Sequence, residues 1–155
     1  MELSVEVKRE IEILQKNIIN SKSNKVFVDK ESLKVASIKH IFSDGVYVRE
    51  MKAEAGTFLI GKIHKQDHVW MLMSGSLITI TEDGLKEIKG PVYGTAEKGS
   101  KRVAYVNEDC IFVNIIPNID NTKDINLIES RATVDTFEEY ENFLIKNKNK
   151  KIWVL

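Results

Sequence analysis

Between residues 26 and 116 the chain is a succession of short β-forming runs, parted at close intervals by turn-forming tripeptides, most of them bearing glycine. That punctuation narrows the fold more than any other feature. Ser43-Asp44-Gly45 parts the runs 38–42 and 46–51, Glu54-Ala55-Gly56 precedes 58–64, and Ser74-Gly75-Ser76 follows 68–73. Glu82-Asp83-Gly84 parts 77–81 from 85–88. Lys89-Gly90-Pro91 and Lys98-Gly99-Ser100 mark the next stretch, and Asn107-Glu108-Asp109 parts 101–106 from 110–116. Regular short strands with such turns predict a mainly β protein, an antiparallel sandwich or barrel.

The flanks read differently. Leu3, Val7, Ile11, Leu14 and Ile18 recur at helical spacing, with Lys8, Arg9, Glu10, Glu12 and Lys16 elsewhere on the wheel. This predicts an amphipathic helix that packs on its own domain or against a partner subunit. Residues 21–24 read as a connector. Pro117-Asn118 ends the β region, and 119–123 reads as a loop. Thr136-Phe137-Glu138-Glu139 has the form of a capping box, so a short C-terminal helix is expected from there to about Asn147. Phe137, Tyr140 and Leu144 would form its packed face. Asn147–Lys151 reads as a solvated charge run, and Ile152-Trp153-Val154-Leu155 as an apolar tail able to dock. The expected organisation is one folded unit with three parts: helix and connector over 1–24, barrel over 25–118, and loop, helix and tail over 119–155.

Composition limits the partners. Basic and acidic side chains balance at 23 each, so no overall field draws in nucleic acid or an anionic membrane. Any anion site must be local. No apolar run approaches the roughly 20 residues of a membrane span, and the first ten residues lack a signal peptide's apolar centre. A cytoplasmic protein is expected. The single cysteine, Cys110, excludes an internal disulfide and a cysteine zinc cluster, and reads as a small core residue.

Two of the three histidines, His64 and His68, flank Lys65-Gln66-Asp67. Read as a three-residue hairpin loop, that spacing sets His64 opposite His68, Lys62 opposite Trp70 and Ile60 opposite Leu72. Two histidines fall short of the three or four protein ligands of a zinc site. Arg49 shares its parity with Tyr47, and parity alone leaves it either inward or outward. Lys101 alternates with Arg102 and is expected at the surface. Asp67, Glu82, Asp83, Glu108 and Asp109 fall in predicted turns and read as solvent-facing.

Over roughly residues 43–117 the order of these pieces resembles the cupin family, small jelly-roll barrels whose interior commonly holds a metal or small ligand. The first cupin signature can be laid on Gly56, Lys62, His64, His68 and Gly75. The second falls on Glu97-Lys98-Gly99-Ser100-Lys101-Arg102, with Arg102 at the position of a histidine. The resemblance thus implies a metal set His, His, Glu, His that has become Lys62, His64, His68 and Arg102. The phrases Gly61-Lys62-Ile63-His64-Lys65 and Gly99-Ser100-Lys101-Arg102 also resemble short cupin-like proteins of bacteriophage genomes.

The departures carry the functional expectation. Arginine keeps its proton and repels a divalent cation, whereas arginine, lysine and protonated histidines suit an anion. Trp70, with Tyr105 or Phe112, would offer a flat wall for a ring. The leading expectation is therefore a non-enzymatic barrel holding an anionic or phosphorylated small molecule, a nucleotide among the candidates, on Lys62, His64, His68, Trp70, Arg102 and Tyr105. No cofactor is expected. The phage resemblance implies sequestration of a host nucleotide signal in the host cytoplasm. Two alternatives stand. One is an enzyme, either with a metal on His64, His68 and a third ligand such as Glu50 or Glu54, or a metal-free isomerase or epimerase with a histidine base. The other is a virion-assembly protein. A homo-oligomer is expected in each case.

Overall fold

The computed structural model describes residues 3–21, 36–81 and 83–148, and the backbone of 26–28. The apolar tail, most of the charge run, most of the 21–24 connector and Glu82 lie outside the described residues. The elements in chain order are α1 (Val5–Asn20), β1 (Val26–Val28), β2 (Ala36–Ser43), β3 (Gly45–Ala53), β4 (Phe58–Ile60) and β5 (Ile63–His64). There follow β6 (His68–Thr81), β7 (Gly84–Lys89), β8 (Val92–Ala96), β9 (Val103–Asn118), α2 (Ile125–Ala132), β10 (Thr133–Val134) and α3 (Phe137–Asn147). The protein is mainly β, an antiparallel jelly roll in which, among the described residues, only β1 and β4 pair in parallel.

Two long strands organise everything else. β6 has 14 residues and β9 has 16, and they pair with each other along most of their length. Their N- and C-terminal halves have different second neighbours. One half-sheet runs β2-β3-β9-β6-β8, through the C-terminal half of β9 and the N-terminal half of β6. The other runs β1-β4-β9-β6-β7, through the remaining halves. The main core cluster, with Met51, Leu59, Leu72, Leu77, Ala104, Val106 and Phe112, draws on both half-sheets.

The corner between the halves is where two expected turns are absent. Ser74-Gly75-Ser76 and Asn107-Glu108-Asp109 do not end strands: they are irregularities inside β6 and β9, with register shifts between Leu72 and Leu77. A bulge consumes a residue without breaking the ladder and bends the strand sharply. Across it the buried positions of β6 switch from His68 and Leu72 to Leu77 and Thr79, so each half keeps its apolar side inward. Gly75 has φ +79°, and a Cβ there would collide with the carbonyl of Asp109. Only glycine lets the backbones approach this closely.

The helices take the outer positions. Val7, Ile11 and Ile18 of α1 pack on Ile60 and Val103, so the stripe is used on the chain's own barrel. Ser4 caps α1 through its side chain. The capping box at Thr136 and Glu139 forms as its sequence requires. On α3, however, Phe137 and Tyr140 are joined by Phe143 against Ile63, while Leu144 is exposed. α2 has no counterpart in the sequence expectations, although Asp124 caps it and Ile128 and Ala132 bury one side. An eight-residue helix shows too few turns for its period to stand out.

Candidate functional site

His64 and His68 do come together, but not through the expected hairpin. β6 already has β8 on one edge and β9 on the other, so β5 has no free edge of β6 to join. Trp70 pairs with Gly94 and Asn114, and Ile60 with Val103. β5 is held instead by β10, with Thr133 opposite His64. The Gly99 amide also donates to the His64 carbonyl at 2.7 Å. The loop 65–67 then returns the chain into β6, and the two imidazoles stack with centroids 3.7 Å apart and planes 21° from parallel.

Both rings are neutral at physiological pH. Burial, reinforced by His68, Arg49 and Arg102, pushes His64 down to about 3. Burial lowers His68 too, with Arg102 adding to the effect, against an upward pull from the Gln66 backbone, the Asn114 side chain and Asp67. The expectation of cationic histidine donors is thereby corrected: desolvation next to fixed positive charge disfavours protonation. Nδ1 of His68 is buried and makes no hydrogen bond of acceptable geometry among the described residues.

Arg102 lies just before β9, where Gly61 donates its amide to the Arg102 carbonyl at 2.8 Å. Its guanidinium sits 4.8 Å from the Trp70 ring centroid and 5.4 Å from that of Phe112. These two rings are themselves stacked, 9° from parallel. Burial alone lowers the guanidinium's proton affinity, and among the described residues no carboxylate forms an ion pair with it. Arg49 is the second cation. It shares the parity of Tyr47 and Met51, which are both buried on β3, and so faces inward, which settles the orientation that sequence left open.

The remaining expected residues divide. Lys62 lines the mouth, but its ammonium is engaged, 3.4 Å from Asp135 and 4.0 Å from Glu129. It does not face Trp70. Tyr105 is turned to the opposite side of β9 from Ala104 and Val106, with its ring 5.1 Å from Phe58, and takes no part in the cavity. Phe112 supplies the second wall instead. Lys101 is buried rather than surface-exposed and donates to the Asp135 carbonyl at 3.2 Å, because the segment entering α3 covers it. Asp67 and Asp109 accept the amides of Lys98 and Ala55, so these two turn carboxylates hold loops in place. Sequence parity does not orient Arg49, and the sequence expectations include neither Asn114 nor Glu129. The helical spacing of Ile125, Ile128 and Ala132 behind Asp124 is the one signal that pointed toward Glu129.

These side chains surround a cavity of about 330 Å³ between the half-sheets, with walls including Leu59, Leu77, Ile88 and Ala104. Ile128, Glu129 and Ala132 of α2 close one end. The histidine pair also borders an outer pocket of about 260 Å³ reaching Asp67, Asp120 and Arg131.

The resemblance to cupins makes a metal one candidate occupant, and the donor set here does not fit one. Imidazole lone pairs lie in the ring plane, so two nearly parallel stacked rings do not converge on a point between them. Neither Glu50 nor Glu54 lines the cavity, and no three ligating residues cluster among the described residues. Two guanidiniums would oppose a divalent ion.

No protein-family model matches the sequence, and no curated protein does. Solved structures do. The chain is similar to a cupin domain from Bordetella pertussis Tohama I at 22% identity and a TM-score of 0.44, over 54% of this chain and 94% of that one. It is also similar to KdgF from Halomonas sp., at 15% identity and TM-score 0.46, over 63% of this chain and 88% of that one. A sugar phosphate isomerase of the cupin superfamily from Silicibacter pomeroyi DSS-3 matches at 16% and 0.45, over 54% of this chain and 59% of that one. The likeness is one of strand arrangement.

Proposed function

We propose that this protein binds a small anionic molecule without chemically altering it, with Arg102 as the anchor. One observation carries the reading: the half-buried guanidinium lies against two aromatic rings with no ion-pairing carboxylate among the described residues. A buried charge without a partner costs several kcal/mol, roughly, after relaxation. A carboxylate or phosphate supplies the missing partner through the planar fork of the side chain. Arg49 adds a second positive charge, and each neutral histidine offers one donor and one acceptor. Trp70 and Phe112 make a flat wall for a ring.

The volume of about 330 Å³ is at the low end of ligand pockets, which run from about 300 to 1,000 Å³. One ring with one anionic group fits that space better than a dinucleotide, so a mononucleotide is the largest ligand we propose. Capture of a nucleotide signal, as in a phage-encoded sequestering protein, is the most specific form of the reading. It needs tight binding and no catalysis. A histidine as hard to protonate as His64 is a weak general base, which favours binding over isomerase chemistry.

Native mass spectrometry of the protein purified from cells, with calorimetric titration of adenosine monophosphate, benzoate and inorganic phosphate, tests this. A retained or titratable anion whose affinity falls about 30-fold or more in Arg102→Met supports it. Stoichiometric zinc, iron or manganese that is lost in His64→Ala overturns it, as does slow conversion of the bound molecule.

A further inference from the structure

We propose that Asn114 decides which anions this cavity accepts, by pairing its carboxamide with a hydrogen-bonding edge on the ring of the ligand. The inference rests on the anion-binding reading and narrows it to a planar heterocycle that carries the anionic group together with adjacent N–H and C=O groups. Phe112, Asn114 and Ile116 alternate inward on β9 and line the cavity. At this point β9 has β3 on one side and β6 on the other, and the ladders set Arg49 and Trp70 directly opposite Asn114. One pleat row therefore presents a cation, a carboxamide and an indole, in that order. Beyond Trp70 the row ends at Gly94, where a Cβ would stand 3.2 Å from the indole, so the ring lies across the glycine.

Packing does not account for Asn114. Asparagine is depleted in strands, and here it stands on a strand paired on both sides, between two apolar inward neighbours. A carboxamide taken from water costs free energy unless it is hydrogen-bonded. Within the protein it reaches His68, whose proton affinity it raises. Nδ1 of that imidazole is buried without a partner of acceptable geometry among the described residues, so two neighbouring side chains on the cavity wall hold hydrogen-bonding capacity. The carboxamide has a donor and an acceptor in one plane, the complement of a lactam, imide or aminopyrimidine edge. Adjacent strands are about 4.8 Å apart. A ring lying on the indole thus turns an edge to Asn114 while its anionic group stays with Arg102, whose guanidinium is 4.8 Å from the same indole.

Calorimetric titration with benzoate and orotate tests this, since both are six-membered rings with one carboxylate and only orotate carries an imide edge. Water solvates the imide, so a site that did not pair with it would favour benzoate. The wild type should bind orotate about tenfold more tightly than benzoate, or better. In Asn114→Leu that ratio should fall to about one or below, whereas Arg102→Met should weaken both anions by a similar factor and keep the ratio. Asn114→Ser should lose the preference in the same way, and serves if the leucine variant does not fold. Equal affinities in the wild type, or a preference that survives Asn114→Leu whether or not both affinities fall, overturn the inference and leave the anion reading standing. If neither probe binds, the inference fails; if inorganic phosphate fails too, or Arg102→Met changes nothing, the anion reading fails with it.

Discussion

Replacing Arg102 with methionine should make the empty protein more stable and disable it at the same stroke. The guanidinium is half-buried with no ion-pairing carboxylate among the described residues, and two ring contacts at 4.8 and 5.4 Å offset only part of its lost hydration. Exchanging buried ionic groups for apolar ones of similar volume has stabilised other proteins by about 1–4 kcal/mol. The two lost cation–π contacts, at about 0.5–1 kcal/mol each for a half-buried guanidinium, cost the variant about 1.5 kcal/mol. Against the middle of the stabilising range the net is about 1 kcal/mol in favour of the variant. For a chain of this length that raises the unfolding midpoint by roughly 2–4 °C. Differential scanning calorimetry on dialysed, ligand-stripped protein measures it directly.

The order of stabilities should then cross when ligand is added. A saturating anion at about 100 times its dissociation constant adds about 2.7 kcal/mol to the wild type and next to nothing to the variant. A variant less stable than the empty wild type, or one stabilised equally by the anion, refutes the claim that Arg102 is an unsatisfied charge awaiting its counter-ion.

Three other outcomes are expected. A His64 that is neutral when folded but titrates near 6.5 when unfolded favours the unfolded state in acid, so stability present above pH 6.5 is lost as pH falls toward 3. Its share is about 2 kcal/mol between pH 7.5 and 5, and the unfolding free energies of wild type and His64→Gln from urea titration should diverge by that amount over the interval. Gly75→Ala should cost about 3 kcal/mol or more, from a positive φ and a backbone collision at Asp109, whereas Gly45→Ala, with open space around it, should cost about 1 kcal/mol. Lys62→Ala should weaken anion binding only several-fold, because its ammonium is engaged with Asp135 and Glu129, in contrast to the loss from Arg102→Met; calorimetric titration of both variants compares them.

Much of this architecture is legible from residue order, because the signals involved are local. A stripe at helical spacing makes α1, a Thr–Glu pair three residues apart makes the start of α3, and alternation with turn residues makes the β2–β3 and β6–β7 hairpins. The apolar character of Cys110 and the inward place of Trp70 also follow from their neighbours. Glycine is where local pattern and fold part. Gly75 carries the same composition signal as a turn glycine, yet it sits at a corner that only the pairing of β6 with β9 can maintain.

The site shows the division most clearly. Sequence alone placed two histidines, a tryptophan and Arg102 in one barrel, and all four line its cavity. Tertiary structure decided which cation faces inward. Lys62 found acidic partners on α2 and before α3, 67 and 73 positions further along the chain, while Arg49 was turned into the cavity by the strands on both sides of it. It also decided that the histidines are uncharged. Local pattern dictates what a residue can do, but burial and neighbouring charge are properties of the assembled fold, and those set protonation and pairing.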